Sequence, residues 1–146
     1  MAADQQELIQ NAIVYAREGR LEEAEKAFTQ VRDADPYNPD CYVNLGVVLR
    51  QQGKVDAALA SYQYALSIDP KHSGALYNCA NILRDGRRHQ EAVELYLRAL
   101  KINPEQVAIL NNLGLTLQAL GRQEEAIGYY HQAQKLQPDQ AYLFDN

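Results

Sequence analysis

The sequence predicts an all-α solenoid, in which antiparallel helix pairs stack one after another along the chain. Proline recurs at a fixed step of 34 residues, at Pro36, Pro70, Pro104 and Pro138. Alanine, aromatic and small residues recur at the same step, and apolar residues recur at intervals of three and four rather than two. A fixed period of roughly 20–50 residues is typical of arrays whose units bury their apolar faces by stacking. The shorter spacing indicates helices.

The prolines divide the chain into four repeats and the opening of a fifth. The repeats span 5–38, 39–72, 73–106 and 107–140, and residues 141–146 begin a truncated fifth repeat. These repeats take up nearly all of the 146 residues, so 1–146 is predicted to be a single array.

Each repeat is predicted to hold two helices. In the second repeat, Leu45, Val48 and Leu49 have the helical spacing of a first helix. Gly53 follows it, at a place where left-handed backbone costs glycine little and ends a helix. The second helix is predicted to stop at the residue before the proline, because the proline ring disfavours helical geometry there.

Two helix ends depart from this pattern. Asp4 and Glu7 have the spacing of a capping box, which predicts that the first helix begins at Asp4. In the third repeat Gly86 comes one residue early, and Arg87 stands where the turn glycine is expected. Either that helix ends one residue sooner, or Arg87 adopts left-handed backbone at a cost of about 1–2 kcal/mol. The cost favours the shorter helix.

Three columns of residues keep the repeat step and predict where helices touch. Alanine or glycine lets two helix backbones approach to about 8 Å, while an aromatic ring fills the space beside them. The alanine column is Ala24, Ala58, Ala92 and Ala126; the aromatic column is Phe28, Tyr62, Tyr96 and Tyr130; the small column is Ala12, Gly46, Ala80 and Gly114.

Composition excludes several classes of partner. The net charge of −5 and the lack of a basic stretch argue against nucleic acid and anionic lipid. The opening residues do not resemble a signal peptide, and no apolar run approaches the roughly 18 residues of a membrane helix. The sequence therefore predicts a soluble, cytoplasmic protein.

No catalytic or metal site is predicted. The sequence shows no nucleophile near a base, no paired carboxylates in an apolar setting and no phosphate-binding loop. Cys41 and Cys79 lack a metal-binding spacing and are predicted to be reduced, structural thiols. His72, His89 and His131 are predicted to be solvent-exposed, and no cofactor is expected.

The columns together resemble the tetratricopeptide repeat. The second repeat carries the motif residues Tyr42, Leu45, Gly46, Leu49, Gly53, Ala58, Tyr62, Ala65 and Pro70. The fourth repeat carries Leu110, Leu113, Gly114, Leu117, Gly121, Ala126, Tyr130, Ala133 and Pro138. The resemblance implies a right-handed superhelix whose first helices line a concave groove. In the first repeat Asn11 replaces the motif leucine, which suits a capping unit.

The resemblance also indicates which first-helix residues face the groove. The candidate peptide-binding residues are Asn44, Asn78, Asn112, Arg50, Arg84, Tyr77, Asn81 and Asn111. One column holds asparagine in three repeats, at Asn44, Asn78 and Asn112, and Asn146 falls on it again. Arg50 and Arg84 share a phase that suits acidic side chains or a carboxylate.

The asparagine column has two interpretations. A side-chain amide offers a donor and an acceptor, which matches the peptide bond of an extended partner. The column is similar in this respect to the asparagine ladder of O-linked N-acetylglucosamine transferases, which hold extended polypeptide. Alternatively, the asparagines bridge neighbouring repeats.

The chaperone-binding members of the family clamp acidic C-termini with lysines. In this sequence Ile9, Val43 and Gly74 stand at those positions, so binding of a chaperone tail is not expected.

The C-terminal end suggests a second surface. A stacked array normally ends in a helix with a polar outer face, whereas this one predicts an apolar face made of Ile127, Tyr130, Leu136, Tyr142 and Phe144. Either the chain is a fragment of a longer protein, or a second copy covers this face and the protein is a homo-oligomer.

Three functions are compatible with the sequence. The first is a non-enzymatic scaffold that binds a protein or an extended peptide in its groove. The second is the substrate-recruiting portion of a larger enzyme, such as a sugar transferase. The third is a structural assembly factor that acts through its exposed end.

Overall fold

The computed structural model describes residues 2–137. These residues form eight helices and contain no strand, so the predicted all-α class is confirmed. Each predicted repeat holds two of the helices. The helices are α1 (Ala2–Arg17), α2 (Leu21–Ala34), α3 (Pro39–Gln51), α4 (Val55–Ile68), α5 (Ser73–Asp85), α6 (His89–Ile102), α7 (Val107–Ala119) and α8 (Gln123–Leu136).

The chain divides into two units, Met1–Ala75 and Leu76–Asn146, with the boundary inside α5. In the first unit α1 packs on α2, α2 on α3, and α3 on α4. In the second unit α6 packs on α7, and α7 on α8. Within each unit these helices contact their neighbours in sequence, which is the packing expected of stacked helix pairs.

The alanine column lies in the core. Ala24, Ala58, Ala92 and Ala126 are all fully buried. In the first unit the apolar core around Ala24 brings together α1, α2 and α3 through Ala12, Ala24, Ala27, Phe28, Leu45 and Val48. The contact columns predicted from the repeat spacing are thus core positions of the structure, except at Tyr130, which is half-buried.

Gly46 shows why one of the small positions must be small. The ring of the fully buried Tyr62 lies directly over its backbone. A Cβ added at Gly46 would stand 2.5 Å from Cε1 of that ring, well inside van der Waals contact. Gly114 has the same relation to Tyr130 in the second unit. Glycine therefore allows a tyrosine of the second helix to rest on the backbone of the first.

The second helices end as the prolines require. At Pro36, Pro70 and Pro104 the residue before the proline is the C-cap of its helix and has left helical backbone, as at Asp69 (φ −134°, ψ 96°). Asp35 and Asn103 hold the same place before Pro36 and Pro104. Because the residue before proline avoids helical geometry, helical backbone stops one residue earlier than the sequence predicts.

The expectations for the two unusual helix ends are wrong. The chain is already helical at Ala2, so α1 does not begin at Asp4. In the third repeat α5 ends at Asp85, the repeat position at which α3 and α7 also end. Arg87 instead adopts left-handed backbone with φ 63°, as Gly53 does with φ 83°. The helix keeps its length, and the arginine takes the unfavourable conformation.

Backbone hydrogen bonds explain why Arg87 is held there. Its N–H donates to the carbonyl of Arg84 at 2.9 Å, and the N–H of Arg88 donates to the carbonyl of Leu83 at 2.8 Å. The turn at Gly53 has the same pair of bonds. This pair satisfies carbonyl groups that the end of a helix leaves without partners, and an earlier helix end would lose it.

Arg87→Gly is therefore expected to stabilise the protein by about 1 kcal/mol, because glycine adopts left-handed backbone without steric cost. Urea unfolding followed by circular dichroism measures the change. The matched control is Gly53→Arg, where no atom crowds an added Cβ, so a loss of about 1–2 kcal/mol is expected from the backbone alone. An unchanged or lowered stability of Arg87→Gly contradicts this assignment of strain.

His72 is not the exposed histidine that the sequence predicts. Its side chain is 18% exposed, and its Nε2 lies 2.6 Å from Oδ1 of Asp40. Its Nδ1 accepts the backbone N–H of Ala75 at 3.1 Å, so the ring caps the start of α5. His89 is half-buried as well, whereas His131 is exposed. His72 therefore ties the turn between repeats to α3 within the first unit.

Candidate functional site

In the first unit, the asparagine column places Asn44 on α3 with a half-buried side chain. Its side chain makes no hydrogen bond to the described residues. In the preceding repeat, the positions on α1 from which a side chain could reach Asn44 are held by Ile9 and Ile13. Neither of them carries a polar side chain. The Asn44 amide therefore keeps both its donor and its acceptor for a partner.

In the second unit, Asn112 on α7 is part of a hydrogen-bond network. Its Nδ2 donates to the hydroxyl of Tyr77 at 2.8 Å and to Oδ1 of Asn81 at 3.2 Å. The same Oδ1 of Asn81 accepts the hydroxyl hydrogen of Tyr96, which is fully buried on α6. We call Tyr77, Asn81, Tyr96 and Asn112 the amide–tyrosine cluster; it joins α5, α6 and α7.

Burial separates the members of this cluster. Asn81 is only 6% exposed, and its oxygen is occupied by two donors. Tyr77 and Asn112 are half-buried. The ring of Tyr77 lies 6.1 Å from that of Tyr96, at an angle of 57°. The network thus has a buried support, Asn81 and Tyr96, and a part that reaches the surface, Tyr77 and Asn112.

The other candidate peptide-binding residues lie on the same helices. Asn78 is half-buried on α5, and Asn111 is half-buried on α7. Arg84 pairs with Asp85, its neighbour in sequence, at 3.1 Å, which reduces the charge available to an acidic ligand. Arg50 is half-buried on α3. Asn146 lies outside the described residues.

Apolar surface adjoins Asn112 on α7. Leu115, three residues further along the helix, is 52% exposed. Residues three apart on a helix lie on the same face. A partner that reaches Asn112 can therefore also cover the side chain of Leu115.

The predicted self-association face lies on α8, as far as it is described. Ile127 is 50% and Leu136 39% exposed. Tyr130 is half-buried, and its hydroxyl donates to Oε1 of Gln118 at 2.7 Å. Burial raises the pKa of Tyr130. Tyr142 and Phe144 lie outside the described residues.

The two cysteines lie in the cores of the two units. Cys41 and Cys79 are both buried, and burial raises the pKa of each thiol. A raised pKa disfavours the thiolate, which is the reactive form. Within residues 2–137, no group of three or more histidine, cysteine, aspartate or glutamate side chains is placed to hold a metal ion.

The sequence left open that the asparagines bridge neighbouring repeats, and Asn112 does so. Sequence reasoning did not identify its partners, although the sequence contains a signal for them. Tyr77 and Asn81 occupy the positions that Ile9 and Ile13 occupy in the first repeat. Polar residues at both positions, followed by asparagine at the next repeat, indicate a network between repeats. Comparing pairs of neighbouring repeats reveals this pattern, whereas reading one column at a time does not.

Solved structures of other proteins share this fold. The chain is similar to MamA, with 20% identity and a TM-score of 0.82 over 94% of this chain and 81% of that one. It is similar to pilF of Pseudomonas aeruginosa, with 25% identity and a TM-score of 0.84 over 92% of this chain and 61% of that one. A third structure, the first TPR of Spaghetti (RPAP3) bound to the HSP90 peptide SRMEEVD, has 25% identity and a TM-score of 0.77, over 80% of this chain and 95% of that one.

Sequence models of known families point the same way. Models described as tetratricopeptide repeat match residues 9–73 and 107–140, and one described as TPR repeat matches 80–121. No curated protein sequence matches the chain. None of the described helices is long and apolar enough to cross a membrane. With its repeating helix pairs and these matches, the chain belongs to the tetratricopeptide-repeat family.

Proposed function

We propose that this protein is an interaction scaffold that binds an extended polypeptide through the asparagines of its first helices. The family and the fold support the coarser statement that it is a protein-interaction module. The Spaghetti repeat bound to an HSP90 peptide is an example of the same fold holding a short peptide. The finer proposal rests on the asparagine column.

The Asn44 amide is the observation that carries the proposal. Asparagine is a mediocre helix former, and Asn44 makes no compensating hydrogen bond within the described part of the chain. A half-buried amide that contributes neither to helix propensity nor to internal bonding is well placed to pair with a ligand. Its donor and acceptor match those of a peptide unit, as in the ladder that the sequence resembles.

The chemistry of this surface favours a partner held by its backbone over an acidic tail. In the Spaghetti structure the bound peptide, SRMEEVD, ends in acidic residues. In this chain Val43 is buried, and Gly74 is packed beside the His72 ring. Neither position offers a cation to a terminal carboxylate. Arg84 is already paired with Asp85. We therefore propose that neutral amide contacts dominate.

Selection of peptides from a random library displayed on phage tests this function. The immobilised full chain is expected to enrich extended sequences whose affinity falls roughly two- to tenfold for Asn44→Ala, as for one lost hydrogen bond. The matched control is Asn11→Ala, because Asn11 is an exposed asparagine on α1 outside the column. Enriched peptides that bind the Asn44→Ala variant as well as the original chain contradict the proposal.

A second candidate function is self-association through α8. It is favoured by the side chain of Ile127 on α8, which is 50% exposed, since apolar surface is covered at protein interfaces. Light scattering at increasing concentration is expected to show a mass above that of one chain, and Ile127→Glu is expected to restore the monomer. A monomer of the unchanged chain at high concentration rules this interface out.

A further inference from the structure

We propose that the fourth repeat binds its ligand at a backbone N–H through Oδ1 of Asn112, and that Tyr77 donates to the carbonyl beside it. This inference rests on the proposed function and gives it a specificity. The ligand residue at this subsite must carry a backbone N–H. Proline and other N-alkylated residues are therefore excluded from it.

The Asn112 amide is fixed in one orientation. An amide nitrogen carries two hydrogens, and both are engaged, one by Tyr77 and one by Asn81. Turning the amide over would place its oxygen against Oδ1 of Asn81. Oδ1 of Asn81 already accepts from the buried Tyr96. Asn81 and Tyr96 therefore fix the orientation of the Asn112 amide.

Two polar groups of the cluster remain available to a ligand, Oδ1 of Asn112 and the hydroxyl hydrogen of Tyr77. Because both of its amide hydrogens are engaged, Asn112 can offer a ligand only its acceptor, Oδ1. No donor to Oδ1 lies among the described residues. The hydroxyl of Tyr77 accepts from Asn112 and still holds its own hydrogen. No acceptor for that hydrogen lies among the described residues. The subsite therefore presents one acceptor and one donor side by side.

These two groups match a peptide backbone, which offers an N–H donor and a carbonyl acceptor at neighbouring positions. Oδ1 of Asn112 accepts the backbone N–H, and the hydroxyl of Tyr77 donates to the carbonyl. In the first unit, Asn44 has no such support and is free to turn, so that it can accept an N–H or donate to a carbonyl. Selectivity against N-alkylated residues is thus a property of the fourth repeat.

The test is a scan in which each residue of a peptide selected on the full chain is N-methylated in turn. One position is expected to lose at least tenfold in affinity on methylation, and this loss is expected to disappear in Asn112→Ala. Tyr77→Phe keeps the ring and removes the hydroxyl, which is both the donor to the ligand and the acceptor of Asn112. It is therefore expected to weaken the unmodified peptide by at least two- to tenfold, the loss of one hydrogen bond.

Asn81→Ala tests whether Asn81 positions the Asn112 amide or only stabilises the fold. Without Asn81 the Asn112 amide can turn, so the discrimination against the N-methylated peptide is expected to shrink while binding of the unmodified peptide persists. Asn11→Ala serves as the control and is expected to leave both affinities unchanged. Circular dichroism confirms that each variant is folded before its affinity is measured.

A small probe tests the subsite without a selected peptide. N-methylacetamide carries one peptide unit, and N,N-dimethylacetamide keeps the carbonyl but lacks the N–H. In nuclear magnetic resonance spectra of the full chain, the first is expected to shift the side-chain amide signals of Asn112, and the second to shift them much less. Equal shifts from both compounds overturn the inference.

The outcomes distinguish this inference from the proposed function. If no peptide is selected, or if Asn44→Ala leaves the affinity unchanged, the proposed function fails and the inference falls with it. If peptides bind through Asn44 but tolerate N-methylation at every position, the proposed function stands and only the fourth-repeat subsite is overturned. A position-specific loss that persists in Asn112→Ala also overturns it.

Discussion

Tyr62→Ala is expected to lower the free energy of unfolding by about 3–5 kcal/mol, the range seen when a buried aromatic side chain is removed. Tyr62 is fully buried, and its ring fills the space over Gly46 where α3 and α4 meet. Glycine has no side chain that could move into the cavity. The truncation therefore removes the buried ring and leaves the space it occupied empty. Urea unfolding of the full chain measures the loss.

The same substitution at Tyr130 is the matched control. Tyr130 occupies the same repeat position and rests on Gly114 in the same way, but its side chain is only half-buried. Less apolar surface is lost, and solvent can enter the space, so a loss of about 1–2 kcal/mol is expected. Equal losses of unfolding free energy in Tyr62→Ala and Tyr130→Ala would show that burial does not determine how much the aromatic column stabilises the fold.

The double substitution Asn44→Ala with Asn112→Ala is expected to weaken binding of a selected peptide by at least tenfold, or about 1.4 kcal/mol. Each amide is expected to contribute about 0.5–1.5 kcal/mol net, the usual range for a hydrogen bond in water. Fluorescence anisotropy of a labelled peptide measures the change. A double variant with unchanged affinity contradicts the asparagine mechanism.

The two substitutions are expected to differ in their effect on stability. Asn112→Ala removes two internal hydrogen bonds, to Tyr77 and Asn81, and is expected to cost about 1 kcal/mol or more in stability. Asn44→Ala removes none and places a better helix former in α3, so stability is expected to hold or rise. Asn44→Ala therefore reports on binding without the complication of lost stability.

The repeat spacing predicted most of the fold because it reflects packing that every repeat must reproduce. The columns of Ala58, Tyr62 and Gly46 have the same local role in each helix pair, so a regular pattern along the chain is enough to locate them. Helix ends depend on competing local costs. At Arg87 the sequence shows the cost of left-handed backbone but not the two hydrogen bonds that offset it.

The candidate site was only partly predictable for a different reason. The phase of the asparagine column is read from the sequence, and it placed Asn44 and Asn112 on first helices with half-buried side chains. Whether an amide is free depends on the neighbouring repeat. Asn112 meets Tyr77 and Asn81, whereas Asn44 follows a repeat with isoleucine at those positions. Reading one column at a time does not separate the two cases, because the difference lies in the residues of the preceding repeat.

The central claim is that asparagines of the first helices hold a peptide backbone, and titration calorimetry of a selected peptide into Asn44→Ala tests it most directly. The account predicts an affinity lower by roughly two- to tenfold, as for one lost hydrogen bond, with no loss of unfolding free energy and with Asn11→Ala unchanged. An Asn44→Ala variant that is equally stable and binds the peptide as tightly as the original chain would contradict the claim.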